Sequence, residues 1–387
     1  MSQLKVNAIS DSAGANGNAI TLATDGTCTA KITNNLSNRN VIINGGMMIS
    51  QRSTSRTVSS SVGGVRTLDR WSTSIGGAAE YTMSQSTDEP GGFMNSMKLE
   101  CTTADSSLAA TDTFRVIYKG EGYDVQRFGK GTSRAVSATL SFWIKTNKTG
   151  NYQVNWRDIN NSRMVGAQYT VSSANTWERK EITFPTETSN GELYNTNGEG
   201  LYLEWWFTSG SNTNSGSVPT SWEAYDATDR AAGLNVNMAD STSNELYITG
   251  VQMEASDYAT DFEHRSYGDE LAKCQRYFYL VASGADSAVA TVAICLNYGA
   301  GSARAMVYFP TTMRTIPDIF EVSGTNYWRI LQHGATNDYP DSVYGGNERL
   351  NMAEVAFEDD VSGLTVGQAS LLRINNAAAK LGYDAEL

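Results

Sequence analysis

Cysteine, histidine, proline and basic charge are all scarce in this chain. The four cysteines, Cys28, Cys101, Cys274 and Cys295, stand far apart with no C-x-x-C pair, and the two histidines are His264 and His333. Zinc needs clustered thiolates and imidazoles, so no metal site is expected and buried free thiols are the plainer reading. Lys and Arg total 29 against 41 Asp and Glu, a formal charge of -12. Without an excess of cations to displace counterions from phosphates, nucleic acid is excluded as a partner. No apolar run approaches the roughly 18–20 residues of a membrane span, so no membrane insertion is expected. The opening MSQLKVNAISD lacks the apolar stretch of a secretory signal, and release by lysis is the expected route out of the cell.

Signatures of chemistry are missing too. There is no G-x-S-x-G, so the strained turn that presents a nucleophilic serine has no candidate. Gly129-Lys130-Gly131 lacks the G-x-x-x-x-G-K-[ST] frame of a phosphate loop, and Gly299-Ala300-Gly301 lacks the third glycine of a dinucleotide turn. Asp158-Ile159-Asn160-Asn161 falls short of a calcium loop. No cofactor and no catalytic residue are therefore expected. Glu263 and His264 could share a proton, but the plainer reading is the connector FEHRS, where with Arg265 they fix a domain angle. Glu358-Asp359-Asp360 reads as a solvated turn. No repeat of 20–50 residues marks a solenoid or a long parallel β-helix.

What is abundant is aromatic and turn-forming: 19 Tyr, 8 Trp, 11 Phe and 35 Gly beside 6 Pro. With many Ser, Thr and Asn, this composition favours short strands joined by turns, an all-β fold. The length allows two or three domains, each with its own core. Residues 1–40 are small and polar, with alternation only at Ile20/Leu22 and Cys28/Ala30/Ile32. They form either a disordered tail or an attachment segment that orders against a partner. From Met97 to Phe207 the period of two is clean: Met97/Leu99/Cys101, Phe114/Val116/Tyr118, Leu140/Phe142/Ile144, Tyr152/Val154/Trp156 and Leu201/Leu203/Trp205/Phe207. Such runs between turn clusters signal a β-sandwich of about ten strands over residues 41–254. Parity slips across Gly250, which predicts a β-bulge there.

The period then changes. Ser266 followed by Asp269 is a capping-box pattern, with Glu270 also in the first turn. Leu271, Cys274 and Phe278 recur as one apolar helical face. This predicts a jelly-roll β-sandwich over 41–263, a linker helix over 264–280 and a second, smaller β domain over 281–387. In the last, AVATVAICLNYG is apolar on both parities and predicts a strand covered on both faces. Pro310 and Pro317 should confine strand ends, and TNYWRIL, AEVAFEDD and SLLRINN should supply three more strands.

Several of these phrases carry a resemblance. ITGVQMEASDYATDFEHRSYGDELAKCQRYFYL is similar to a segment of tail-fibre and related virion proteins of tailed bacteriophages, in particular marine, cyanophage-like ones. AITLATDGTCTAKI resembles their N-terminal segments, and NVIINGGMMISQR resembles the start of their globular part. LSFWIKTNKTGNY with SANTWERKEITFP resembles a theme of carbohydrate-binding-module-like jelly rolls in phage tails. The pattern F-P-x-x-M-R-x-x-P resembles C-terminal fibre domains. The resemblance implies a structural virion protein, a tail fibre that attaches to a host-surface receptor such as a glycan. It also implies a homotrimer and docking to other tail proteins through residues 1–40, after assembly in the host cytoplasm. The alternatives are a glycan-degrading tailspike enzyme and a collar, nozzle or head-decorating protein that touches no receptor.

Candidate receptor contacts lie in the loop Leu331–Leu350, where His333, Tyr339 and Tyr344 stand among Asn, Asp and Gly; Tyr327 and Trp328 precede it. A long loop without structure of its own is usually functional or disordered, and tyrosine offers a flat apolar face with a polar tip. Trp206 lies on the opposite parity from Trp205 and is the freer of the two. Core packing and ligand stacking both remain open for it.

Overall fold

A computed structural model describes residues 8–10, 18–22, 28–30, 38–62, 64, 67–287, 289–332, 337–357 and 361–387. The chain is all-β, with short helices at its junctions. At the N-terminus, Ala8–Ser10, Asn18–Leu22 and Cys28–Ala30 make a three-stranded antiparallel sheet. His333 and Glu358-Asp359-Asp360 lie outside the described residues.

Residues 55–255 supply twelve strands in two six-stranded sheets, a jelly-roll-like sandwich. In the first sheet the order is Glu223–Ala224, Arg163–Val171, Gly150–Asp158, Glu199–Ser209, Thr113–Glu121 and Trp71–Gly76. The second runs Glu178–Phe184, Ala138–Thr146, Glu245–Ala255, Ser96–Thr103, Glu80–Ser86 and Ser55–Val58. The expected alternation decides which side chains meet between them. Trp205 pairs in register with Val116 and Val154 and lies within 5.6 Å of the Trp71 ring and 5.9 Å of the Phe142 ring, the latter edge-on. Its indole thus bridges the two sheets, in a geometry that favours aromatic pairs. At Gly250, φ is +63° and the register against Ala138–Thr146 shifts between Thr249 and Gln252. This is the expected bulge. Only glycine fits it without strain, and the rings of Phe93 and Trp143 lie over the place a Cβ would take.

The helix runs Tyr267–Gln275, and the Ser266 hydroxyl accepts the Asp269 N–H at 3.2 Å while donating to its carboxylate at 2.6 Å. Cys274 is buried with Ile43, Ile49 and Tyr277, and Leu271 packs against them. Phe278 is fully buried as well, but as the first residue of a strand rather than on the helix. Glu270 sits in the first turn, as expected, and is buried. It folds inward, accepts the Asn44 N–H and pairs with Arg265 at 3.2 Å. Three arginines close the joint. Arg70 lies 3.4 Å over the Tyr277 ring and pairs with Glu386. Arg52 lies 3.6 Å over Phe278 and reaches Asp384 at 2.8 Å. Arg276 grips Glu121 with two bonds of 2.7 and 2.8 Å. The buried guanidinium groups of Arg52 and Arg70 are tolerable because each is paired and stacked.

Beyond the joint, a three-stranded sheet (Phe278–Ser283, Lys380–Asp384, Asp318–Val322) packs near a six-stranded one. The order in the larger sheet is Trp328–Gln332, Ala369–Ile374, Thr291–Gly299, Ser302–Tyr308, Met352–Phe357 and Tyr344–Gly346. Trp328, Ile330, Val355, Phe357, Leu372 and Tyr383 fill the space between. Pro310 follows one strand end and Pro317 immediately precedes Asp318–Val322, as expected. The strand Thr291–Gly299 is not covered on both faces. Cys295 and Asn297 point into the core, while Ile294, Leu296 and Tyr298 face out.

Candidate functional site

The connector after Glu245–Ala255 turns back across the outer face of the second sandwich sheet and is pinned at both ends. The buried Glu254 carboxylate accepts the Thr260 N–H at 2.9 Å and the Gln252 side-chain amide at 3.0 Å. Gln252 in turn accepts the Glu263 N–H at 2.8 Å, and Arg179 donates to the Thr260 carbonyl at 2.8 Å. So held, Phe262 and His264 stand against Phe93. Their rings lie 5.1 Å (Phe93–Phe262), 5.5 Å (Phe93–His264) and 5.0 Å (Phe262–His264) apart. Phe93 and Phe262 are half-buried and His264 is exposed.

A cleft opens on each side of this aromatic triad. One, of about 180 Å³, runs past Gly45, Gly46, Met48 and Met94 to Glu263, Arg265 and Glu270. The other, of about 220 Å³, runs over Gly250 between Trp143, Ser141, Arg179 and Asp261. Flat apolar faces flanked by a guanidinium and carboxylates are the equipment a sugar ring needs: stacking for its C–H face, donors and acceptors for its hydroxyls. Sequence reading placed His264 in a connector but missed Phe93, Phe262, Trp143 and Arg179. Their only local signal was the aromatic Phe262 two residues before His264.

The residues singled out in the sequence are dispersed. Tyr339 and Tyr344 are exposed, at 39% and 42%. They stand at opposite edges of the C-terminal sheet, because Asp338 bridges Ile330 on one edge strand while Tyr344 opens the other. The described residues of 331–350 therefore carry strand and bridge structure of their own. Tyr327 is half-buried. Trp328 is fully buried in the C-terminal core and donates its indole N–H to Ser323 at 3.1 Å, which removes it as a direct contact.

Trp206 is corrected likewise. It does lie on the outer face, opposite Arg115 and Gln153, but it is fully buried. Chain from the segment after Ser209 crosses that face, and Arg230 and Arg115 hold the indole between guanidinium groups 4.8 and 5.0 Å from its ring. Beside it the fully buried Glu204 accepts two bonds from Arg230, at 2.5 and 3.1 Å, and one from Asn155 at 3.1 Å. Arg115 and Arg157 stand at 3.6 and 3.7 Å. Burial pushes the Glu204 carboxyl up, but the bonds and charge of Arg230, with Arg115 and Arg157, outweigh that and hold it below the usual range. Lys130, of the rejected phosphate loop, is also turned inward: its ammonium donates to Asp158 at 2.7 Å and to the Gly191 carbonyl at 2.7 Å. Among the described residues, no three His, Cys, Asp or Glu side chains cluster as metal ligands.

No family model matches the chain, and no curated protein does. Solved structures similar to it include the enzymatically active domain of tailspike protein 4 of bacteriophage CBA120, at 12% identity over 57% of this chain and a TM-score of 0.29. The match spans only 22% of that tailspike chain. A family 11 carbohydrate-binding module from a cellulosomal cellulase of Clostridium thermocellum matches at 12% identity, covering 53% of this chain and 96% of its own, with a TM-score of 0.26. The C-terminal family 22 carbohydrate-binding module of a xylanase from the same organism matches at 9%, covering 58% and 99%, with a TM-score of 0.27. At such TM-scores these likenesses decide nothing about the site.

Proposed function

We propose that this chain is a structural virion protein of a tailed bacteriophage, a tail fibre or fibre-like appendage that holds a host-surface glycan without cleaving it. The observation that carries the reading is the twin cleft around Phe93, Phe262 and His264, completed by Trp143 and Arg179. The virion setting rests on the sequence resemblance alone, as does the homotrimer. Residues 1–40 would join the chain to other tail proteins. A single shallow cleft binds weakly, and several copies on one rigid appendage add avidity without any new contact. Assembly takes place in the host cytoplasm, with release by lysis.

The test is adsorption of virions carrying Phe262→Ala and Trp143→Ala to host cells, with the melting temperature checked first. Adsorption should fall at least tenfold, about 1.4 kcal/mol, while the fold holds. Unchanged adsorption would overturn the cleft; a loss seen instead with Tyr339→Ala and Tyr344→Ala would move the contact to the C-terminal domain. Oligosaccharide release from host polysaccharide by the purified chain would establish the tailspike-enzyme alternative. A position at the collar or head in electron micrographs of the virion would replace attachment with a purely structural role.

A further inference from the structure

The outer face of the C-terminal six-stranded sheet leaves a group of large apolar side chains open. Ile294, Leu296, Tyr298, Met306 and Tyr308 are exposed at between 42% and 70%. Register places them side by side: Leu296 opposes Arg304 and Ala369, and Ile294 opposes Leu371, which opposes Leu331. Taking roughly 200 Å² for each large residue, the five leave about 600 Å² of mostly apolar surface in water. That is the upper end for a free monomer and close to the ~800 Å² per partner of a standard interface.

We propose that this face is covered by the same face of another copy of the chain. Three observations select a second copy as the occupant. The strand Thr291–Gly299 carries apolar residues on both parities, the pattern of a strand buried on both sides, yet a single chain buries one side. The central charges neutralise each other, since Arg304 pairs with Glu354 at 3.2 Å, so nothing there calls for a charged ligand. Finally, the remaining charge on the face is off-centre, since Arg329 and Arg373 face each other on the Trp328–Gln332 edge. When two such sheets stack about an axis along their strands, the basic edge of one lies over the opposite edge of the other and away from its own copy. A cyclic arrangement likewise keeps the basic edges of neighbouring copies apart. In either case Leu296, next to the middle of the sheet, comes near its own copy.

The inference deepens the oligomer in the function proposed above, and one experiment separates the two. Light scattering after size exclusion of the full chain at micromolar concentration is expected to report more than one 41.9 kDa copy. Leu296→Glu with Tyr308→Glu should reduce the mass to one copy, with the β circular-dichroism signal intact. Leu296→Cys, which leaves the fold alone, should give a disulfide-linked pair on oxidation, whereas Ile159→Cys on the sandwich should not. A wild-type chain that stays monomeric overturns both proposals of assembly. A trimer that survives the double substitution and does not cross-link overturns this face and leaves the trimer standing. A dimer that both variants disrupt or trap keeps the face and overturns the count of three.

Discussion

On the outer face of the first sandwich sheet the chain buries charge; on the outer face of the C-terminal sheet it leaves hydrocarbon in water. The first face could have been solvated cheaply, yet the chain crosses it after Ser209 and seals Glu204, Arg230 and Trp206 beneath. The second would gain from any cover, and the described residues supply none. The contrast separates two ways of finishing a sheet. A face completed within one chain can hold polar groups because every partner is at fixed distance. A face left for a second molecule stays apolar and flat, since the hydrophobic effect is non-directional and tolerates imprecise approach.

The two largest effects should be similar in size and opposite in kind. Phe278→Ala removes a fully buried ring from under Arg52, and equilibrium denaturation should show a loss of about 3–5 kcal/mol. Glu204→Ala strands the buried Arg230 and the half-buried Arg115 and Arg157 and should also cost about 3–5 kcal/mol. A loss below about 1 kcal/mol in the first would make the joint a mere tether, and in the second would make the sealed network ornamental.

The pH dependence of the two carboxylates sharpens the same contrast. Burial pushes Asp69, at the joint, up to about 6, against the lowering influence of Arg52 and Gln51. Between an unfolded value near 3.9 and that folded value, the native state holds a proton the unfolded state has lost. Asp69 therefore lowers stability as pH rises from about 4 to 6, by about 3 kcal/mol. Glu204 has the other sign: its folded value is depressed, so its stabilisation is present above the ordinary glutamate range and disappears as pH falls through the folded value. Unfolding measured from pH 3 to 7 should show the acidic-side gain vanish in Asp69→Asn. An unchanged slope would mean Asp69 is not the group responsible.

The smallest effect is expected at the bulge. Gly250→Ala puts a Cβ at φ +63° and 2.6 Å from the Phe93 ring, at a cost of about 1–3 kcal/mol. Glycan adsorption should weaken along with stability, because Phe93 must move. A variant that keeps its adsorption would show that the aromatic triad is not the contact.

Features set by neighbouring residues were legible in the sequence: the Ser266 cap, the slip at Gly250 and the alternating strands all follow from local period and chemistry. Trp206 was not, because parity tells which face a side chain takes and not what crosses that face later in the chain. Trp328 was misplaced for the same reason; its place just before the loop put it among the candidate contacts, while the strand expected there points it inward. The cleft was hidden more deeply, since Phe93 and Phe262 come from distant segments that only the sheet order brings together. Thr291–Gly299 was read as covered on both sides, and the single chain accounts for one of them.

The ion pair between Arg70 and Glu386 joins residues 316 positions apart. At translation speeds of about 5–20 residues per second, the arginine leaves the ribosome roughly 15–60 s before its partner exists. Through that interval the Tyr277 ring that it stacks on is also absent for most of the time. The strands of the sandwich, which end at Ala255, are thus all made while one charged seam of the joint still lacks its partner.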